Sequence, residues 1–230
     1  MLLGKKICAL VPARGGSKGI KLKNLKKIKK KSLVEITSNF IKNAKLFDFK
    51  VLNSDNEKIL RLGKKLNFIN LKRPKNLSGD YISDYELLKF TILKMEKLKI
   101  KADYIVYLQP TSPIRKTEQL LKALKTIINR KLDGAWSVNR INNKFHPLKI
   151  LTNKNGYLKL FSSLGKKIIA RQMLSDAYIR NGVFYIFSVK ELKRQKTIYL
   201  KKMLLSETIY KNINIDTLDD LKKARLMIKN

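Results

Sequence analysis

Glycines and cations are interleaved in one short stretch near the start of the chain. Residues 11–24 read VPARGGSKGIKLKN, in which two adjacent glycines lie between Arg14 and Lys18, directly after an apolar run. Glycines let the main chain approach a ligand closely, and flanking cations can neutralise a chain of phosphates. The spacing matches neither the Gly-x-x-x-x-Gly-Lys-Ser/Thr loop nor the Gly-x-Gly-x-x-Gly fingerprint. The stretch therefore predicts a loop that binds a polyphosphate, with a solvated basic turn as the alternative.

The whole chain is strongly basic, which raises a second class of function. Its 230 residues include 52 Lys and Arg against 17 Asp and Glu, a formal net charge of +35. Such a charge is often found in nucleic-acid-binding proteins. Here, however, lysine far outnumbers arginine and is spread along the sequence, whereas base readers and phosphate clamps favour the planar arginine side chain. General nucleic-acid binding is therefore the less favoured interpretation, and we expect the charge to steer anionic substrates.

Two kinds of apolar pattern alternate along the first part of the chain. Short β-like runs such as ICALV and DYIVYLQP are separated by stretches with helical periodicity. Ser32 with Glu35, and Ser83 with Glu86, have the spacing of a capping box at a helix start. This alternation predicts an α/β fold with a Rossmann-like, mostly parallel sheet covered by helices.

The pattern changes after about residue 140. From 140 to 179 the β-like pieces are short and interrupted by Asn and Gly, and we interpret this segment as an insertion in a single domain over 1–230. The run GVFYIFSV then predicts a strong strand, YKNINID at 210–216 a further strand, and Thr217 the start of a last helix. Because the segment 140–179 is too poor in core residues to fold alone, we expect a small β-rich dimerisation excursion.

The single cysteine and the first apolar run bear on the location of the protein. Cys8 cannot form an internal disulfide bond, which fits a reducing cytoplasm, and a small buried core residue is favoured over a nucleophile. The run ends at Pro12 and is too short for a signal sequence or a membrane-spanning helix. We therefore expect a cytoplasmic protein with no membrane insertion.

Five collinear pieces of the sequence carry a family resemblance. Besides the opening stretch, they are RPKNLSGDYIS, YLQPTSPIR, RQMLSDAYIRNGVFYIF and NIDTLDDLKKA. Together they resemble the signature segments of the acylneuraminate cytidylyltransferases, which make CMP-activated sialic acids and related bacterial nonulosonic acids. The resemblance spans essentially the whole chain. It implies a nucleotidyltransferase-type fold and a reaction of CTP with a nonulosonic acid that gives a CMP-sugar and pyrophosphate.

The resemblance also implies roles for individual residues on the nucleotide side. The implied nucleotide-binding residues are Arg14, Ser17, Lys18, Lys23, Asn24, Arg73, Ser83 and Gln109. The implied catalytic residues are Arg14, Lys18, Lys23 and Asp216. The cations among them agree with the need to neutralise charge that develops during nucleotidyl transfer. Arg73 would read the cytosine edge; the alternative is a surface cation before a proline turn. For Gln109 the alternative is a strand-end amide that satisfies loop backbone.

On the acceptor side, a nonulosonic acid presents one carboxylate and several hydroxyl groups. The residues implied to contact it are Gln109, Arg171, Gln172, Tyr178, Arg180 and Asn181. Arg171 is the candidate for the carboxylate, since arginine can form a bidentate pair with it. The resemblance implies that the segment 140–179 crosses to a second subunit, so that a homodimer shares the acceptor site. For the only histidine, His146, a structural or acceptor-contacting role is favoured over a general base.

One position departs from the family pattern. The last family segment reads Asp-Ile-Asp, whereas this chain has Asn214, Ile215 and Asp216. Two residues apart on a strand, the first and third side chains share a face, and the resemblance implies that they hold Mg²⁺ against the nucleotide phosphates. Since Asn214 offers a carbonyl oxygen in place of a carboxylate, we expect Mg²⁺ binding with Asp216 as the charged protein ligand. A lost or altered activity and, for Asp216, a helix-opening acid are the alternatives.

Two other functions remain open from the sequence. One is transfer of another nucleotide, or transfer to another sugar, because the opening loop does not by itself select a base. The other is binding of nucleic acid. Which nonulosonic acid is accepted depends on the shape of a pocket that the sequence does not show.

Overall fold

The computed structural model describes residues 1–17 and 19–228, so the predicted contribution of Lys18 lies outside the described residues. The helices are α1 (Leu33–Ala44), α2 (Glu57–Lys65), α3 (Asp84–Lys97), α4 (Thr117–Asn129), α5 (Val189–Gln195) and α6 (Leu218–Met227). The strands are β1 (Ile7–Pro12), β2 (Lys27–Ile28), β3 (Lys31–Ser32), β4 (Phe49–Ser54), β5 (Ile69–Lys72), β6 (Tyr104–Tyr107), β7 (Gly134–Arg140), β8 (Leu151–Lys154), β9 (Tyr157–Leu160), β10 (Tyr178–Ser188) and β11 (Met203–Glu207). None of the helices in these described ranges is both long and apolar enough to span a membrane.

A mostly parallel sheet runs through the centre of the fold. Its seven strands, within the described residues, follow the order β11-β7-β10-β6-β1-β4-β5. The pairs of β1 with β4 and β6, of β4 with β5, and of β7 with β11 are parallel, whereas β10 runs antiparallel to β6 and β7. Helices cover this sheet and bury a separate apolar cluster on each face. The predicted α/β class, Rossmann-like and mostly parallel, is confirmed.

Serine residues cap two of the predicted helix starts. At α1, Glu35 N donates to Ser32 Oγ over 3.3 Å and Ser32 N donates to the Glu35 carboxylate over 2.7 Å, which completes a capping box. At α3, Glu86 N donates to Ser83 Oγ over 3.2 Å. Both helices therefore begin where the sequence pattern places them.

The strand predicted over 210–216 is wrong. The parallel neighbour of β7 is β11, and the chain continues from β11 as an irregular segment. In this segment Ile215 N donates to Thr111 O over 2.8 Å, and the side chains of Asn212 and Asn139 bond to each other. Because β11 already occupies the place beside β7, residues 210–216 are held by side chains and isolated backbone bonds instead of a ladder.

Residues 140–179 form a small hairpin among short helical turns. In the described part of the chain, β8 and β9 pair with each other and not with the central sheet. Large apolar side chains of this segment are exposed, for example those of Tyr157, Leu158 and Ile169. The broken pattern of the sequence is thus present in the structure, while the role of this segment in assembly stays a prediction.

The thiol of Cys8 is fully buried in β1, and burial raises its pKa. The thiolate is the form that reacts with alkylating reagents. We therefore expect native Cys8 to react with a maleimide at least ~10³-fold more slowly than Cys8 of the guanidinium-unfolded chain at the same pH, because the thiol must first be exposed by opening of the core. Mass spectrometry of timed samples gives both rates. Equal rates in the two states would place Cys8 outside the core.

Candidate functional site

The carboxyl ends of four parallel strands meet at one edge of the sheet. The chain leaves β1 towards Arg14, β4 towards Asp55, β5 towards Arg73 and β6 towards Gln109. Open α/β sheets bind their ligands at this edge. A cavity of about 340 Å³ lies there.

This cavity gathers every described residue of the predicted nucleotide site. From that set, its lining includes Arg14, Ser17, Lys23, Asn24, Arg73, Ser83 and Gln109, and Asn214 and Asp216 complete it. These residues come from the opening loop, from the ends of β5 and β6, from the start of α3 and from the segment before α6. The fold thus brings together side chains that lie far apart in the sequence, and it presents them on one concave surface.

The opening loop packs closely against the segment before α6. A Cβ atom on Gly19 would lie 2.5 Å from the carbonyl oxygen of Asp216, so a larger residue would force the two segments apart. On its other side the loop is tied to the end of β4, because Gly15 N donates to Asp55 Oδ1 over 2.8 Å. These contacts hold the loop beside the cavity.

Arg14 is paired with an acid at the edge of the cavity. Its Nη1 donates to Asp80 Oδ1 over 2.7 Å and to Gly79 O over 3.3 Å, and its own carbonyl accepts from Asn24 Nδ2 over 2.9 Å. Because both charged side chains are partly exposed, such a pair contributes only about 0–1 kcal/mol to stability. An anionic group of a ligand can therefore replace Asp80 on Arg14 at small cost.

Arg73 is a buried cation, with only 7% of its surface exposed. Its Nε donates to Asn53 Oδ1 over 2.8 Å, and no carboxylate of the described residues forms an ion pair with it. Burial lowers the pKa of Arg73, while Tyr107 and Asp55 act in the opposite direction. Since a buried charge without an ion pair is costly, the remaining guanidinium donors are suited to a polar or anionic group of a bound ligand.

Asn214 and Asp216 lie side by side, although their segment is not a strand. Asn214 Nδ2 donates to Asp216 Oδ2 over 2.7 Å, and Lys23 Nζ donates to Asp216 Oδ1 over 2.9 Å. The carbonyl oxygen of Asn214 accepts from Ser112 Oγ over 3.3 Å. In this arrangement Asn214 orients the carboxylate of Asp216 and does not present its own oxygen beside it. The Asp216 side chain remains 64% exposed, so a cation can reach it.

Tyr107 and Asp84 also line the cavity, although no sequence motif indicated them. Tyr107 Oη donates to Asp84 Oδ1 over 2.9 Å, and burial, followed by this carboxylate, raises the pKa of Tyr107. The available signal was weak, because Tyr107 looks like one more residue of an apolar strand and Asp84 like an acid in the first turn of a helix. Asn53, which orients Arg73, gave no signal of its own.

Of the six predicted acceptor residues, Gln109 lines this cavity, and the other five, Arg171, Gln172, Tyr178, Arg180 and Asn181, lie outside its lining. Arg171 and Gln172 are exposed on a short 3-10 turn within 140–179, and Tyr178 begins β10, where its ring faces Arg140. The structure therefore does not bring these three side chains to the nucleotide residues within one chain. Their contact with an acceptor stays a prediction.

Asn181, another of the predicted acceptor residues, is buried within a polar network. Its amide nitrogen donates to Asn139 Oδ1 over 2.8 Å and to Thr208 Oγ1 over 2.9 Å. Its carbonyl oxygen accepts from Ser137 Oγ over 2.6 Å and from Val183 N over 3.1 Å. All hydrogen-bonding positions of the amide are thus occupied by the protein.

His146 is also buried, and both of its ring nitrogens have backbone partners. Nδ1 accepts from Leu148 N over 3.2 Å, and Nε2 lies 3.0 Å from Ser175 O. Since Nδ1 is the acceptor, Nε2 carries the proton and donates. This geometry fits a structural role for His146, which is one of the two roles that the sequence favoured over a general base.

The chain is similar to known proteins in both sequence and fold. A family model described as "Cytidylyltransferase" matches residues 8–228. The chain belongs to the cytidylyltransferase family. It is 28% identical to a pseudaminic acid cytidylyltransferase of Campylobacter jejuni subsp. jejuni serotype O:2, over 98% of this chain and 97% of that protein. It is also 28% identical to an N-acylneuraminate cytidylyltransferase of Escherichia coli O18:K1:H7, over 79% of this chain and 42% of that protein. The resemblance read from the five motifs is confirmed.

Solved structures show the fold of this cytidylyltransferase in other proteins. The chain matches a CMP:2-keto-3-deoxy-manno-octonic acid synthetase complexed with CTP at a TM-score of 0.70, with 14% identity, over 96% of this chain and 98% of that one. At this level of identity the likeness establishes a shared fold. The nucleotidyltransferase-type architecture expected from the sequence is therefore confirmed.

Proposed function

We propose that this cytidylyltransferase activates a nonulosonic acid with CTP, giving a CMP-sugar and pyrophosphate. One observation carries the proposal: Arg14, Lys23 and Arg73 converge with Asp216 on a single cavity at the carboxyl edge of the sheet. Arg14 and Lys23 suit the phosphates of a nucleoside triphosphate, and Arg73 suits its base or ribose. The family and its relatives named for nonulosonic acids support the choice of donor and acceptor.

In the proposed reaction the anomeric hydroxyl of the acid attacks the α-phosphorus of CTP in line. A bond forms between the anomeric oxygen and the α-phosphorus, the bond from the α-phosphorus to the bridging oxygen breaks, and the hydroxyl proton is released. Arg14 and Lys23 lie where they can neutralise charge on the departing pyrophosphate. Arg73, buried and without an ion pair, is assigned to the base or its neighbouring ribose. No covalent enzyme intermediate is needed.

We assign the carboxylate of Asp216 as the protein ligand of Mg²⁺. Mg²⁺ commonly takes one or two carboxylates together with substrate phosphates and water, and the exposed Asp216 carboxylate beside the cavity fits this donor set. The bound ion would add positive charge at the phosphates. Lys23 and Asn214 hold the two carboxylate oxygens in place, so Asn214 serves here as a positioning residue.

We further propose that the protein acts as a homodimer through residues 140–179. Large apolar side chains of this segment are exposed in the single chain, and they include Phe145, Tyr157, Leu158, Phe161, Ile169 and Met173. An exposed apolar surface of this kind is typical of an interface. In a dimer, the segment of one subunit would complete the acceptor site of the other.

The proposed dimer can be tested by the mass of the protein in solution. At micromolar concentration, light scattering should give twice the chain mass of 26.7 kDa. Leu158→Asp should shift the protein towards monomer, because it buries a charge in the interface. Leu226→Asp, an equally apolar exposed position on α6, serves as the control and should leave the mass unchanged. A wild-type monomer with full activity would contradict the shared site.

Pyrophosphate release with a panel of nucleotides tests the choice of donor. With a nonulosonic acid present, CTP should support turnover, and UTP, GTP and ATP should be much poorer donors. Equal rates with several nucleotides would instead indicate a less selective sugar nucleotidyltransferase.

A further inference from the structure

Arg115 is a partly buried arginine that bridges three separate segments of the fold. Its Nε donates to Val183 O of β10 over 2.8 Å, and its Nη2 donates to Gln109 O, just after β6. Its Nη1 donates to Thr37 Oγ1 of α1 over 3.4 Å, and the ring of Phe40, also on α1, lies 5.8 Å from its guanidinium carbon. The guanidinium thus joins two strands of the sheet to a covering helix.

The partners of Arg115 are neutral. No carboxylate among residues 1–17 and 19–228 forms an ion pair with its guanidinium. Burial lowers the pKa of Arg115, since it disfavours the charged form. Hydrogen bonds from a charged donor are stronger than those between neutral groups, and they offset part of this cost. Arg115 therefore acts as a cross-link between main-chain segments and not as one half of a charge pair.

Gln109 is the partner of Arg115 that lines the cavity. Its side-chain amide makes no hydrogen bond with any described residue, so its donors and its acceptor are available to a ligand. A Cβ atom on Gly182 would lie 2.5 Å from Gln109 Oε1, which means that the backbone of β10 packs directly against this amide. The position of the amide therefore depends on the backbone of Gln109 and on its distance from β10.

Arg115 holds both sides of this close contact. One of its acceptors is the carbonyl of Gln109 itself, and another is the carbonyl of Val183, the residue after Gly182. Within the same turn, Ser112 N donates to Gln109 O over 3.0 Å. The planar guanidinium can reach two carbonyls at once because its donors point in fixed, divergent directions.

We propose that Arg115 is a positioning residue for Gln109. It clamps the turn after β6 onto β10 and thereby holds the free amide of Gln109 in the cavity wall. Arg115 does not itself line the cavity. Its effect on the rate rests on the proposed function, whereas its effect on the position of Gln109 does not.

The glutamine side chains provide a readout of position that needs no activity. The glutamines of the chain are Gln109, Gln119, Gln172 and Gln195. Protein labelled at glutamine with the NMR-active nitrogen isotope should show their side-chain amide signals, and Gln109→Ala assigns one pair by its loss. In Arg115→Lys this pair should shift or broaden, because an ammonium cannot reproduce the planar bridge. The signals of Gln195, which is held by Asp133 and Glu191, should stay in place.

A double-mutant cycle tests whether Arg115 affects the reaction through Gln109. Arg115→Lys and Gln109→Ala should each lower kcat/KM for CTP-dependent pyrophosphate release about 10-fold, as expected for loss of one polar contact. The variant with both changes should stay within about 3-fold of Gln109→Ala, because the clamp then has no side chain left to position. Independent effects would instead multiply to a loss of about 100-fold.

Arg225→Ala is the matched control. Arg225 also donates from Nε and Nη2 to a main-chain carbonyl, that of Lys27, and neither residue lines the cavity. This change should alter neither the rate nor the amide signals of Gln109. Arg115→Gln is a second variant in case Arg115→Lys does not fold, since it leaves no charge without its partners, and it should move the same signals.

The possible failures are distinguishable. Amide signals of Gln109 that stay in place in folded Arg115→Lys or Arg115→Gln overturn the positioning role, and so do losses that multiply in the double-mutant cycle. If the signals move but the wild type releases no pyrophosphate with CTP, the proposed function fails and the positioning role stands.

Discussion

Asp216→Ala is expected to lower the CTP-dependent rate by roughly 10³-fold at any Mg²⁺ concentration, the upper end of the loss seen when one electrostatic contact of a transition state is removed. The carboxylate of Asp216 is an exposed anion at the edge of the cavity, and Lys23 and Asn214 hold its two oxygens. Without the Asp216 carboxylate, the cavity lacks the protein ligand that we assign to Mg²⁺, so the ion would no longer be held beside the phosphates. The measurement is a Mg²⁺ titration of initial rates.

Two further variants sharpen this prediction. Asp219→Ala removes a highly exposed acid of α6 that pairs with Lys222, and it should leave the rate unchanged. Asn214→Asp should lower the Mg²⁺ concentration that gives the half-maximal rate, because two carboxylates would then share one cation. If Asp216→Ala works normally, the metal is bound elsewhere.

Arg14→Ala is expected to lower the CTP-dependent rate at least ~10²-fold with the fold intact. Arg14 lines the cavity from the opening loop, and its pairing with Asp80 is weak enough to yield to a phosphate. Circular dichroism and the thermal midpoint of unfolding should match those of the wild type, because the side chain is partly exposed. Steady-state rates with varied CTP give the loss.

The pair with Asp80 provides the means to separate two roles of Arg14. If Arg14 only holds the loop around Gly79 and Asp80, then Asp80→Asn should cause the same loss. We expect instead a change within about 10-fold for Asp80→Asn, since an exposed pair contributes little. Arg61→Ala, which removes an exposed cation on α2, controls for the loss of general electrostatic steering. A near wild-type rate for Arg14→Ala would refute its role.

Local chemistry explains why much of the fold could be predicted. The serine caps at Ser32 and Ser83 and the apolar runs of β1 and β6 depend on neighbours in the sequence, and they appear where the patterns place them. The segment 210–216 has the composition of a strand, but β11 occupies the place beside β7 in the sheet. Competition between two segments for one edge is a tertiary effect that local patterns do not contain.

The candidate site could also be predicted only in part: motifs indicated the residues, but not their partners. Arg14, Lys23, Arg73 and Asp216 lie in compact motifs, so the sequence alone indicated them. The partner of each depends on distant segments: Asp80 faces Arg14 across 66 positions, and Lys23 reaches Asp216 across 193. These pairings follow from the packing of the folded chain and could not be derived from spacing.

We propose that the cavity at the carboxyl edge of the sheet joins CMP to a nonulosonic acid. Its most direct test is to incubate the protein with CTP, Mg²⁺ and a mixture of neuraminic, legionaminic and pseudaminic acids, and to determine the masses of the products. The proposed reaction gives a product with the mass of one acid plus CMP less one water, formed together with one equivalent of pyrophosphate. It would be contradicted by the absence of both products from a folded protein that instead binds duplex DNA tightly and with a steep dependence on salt.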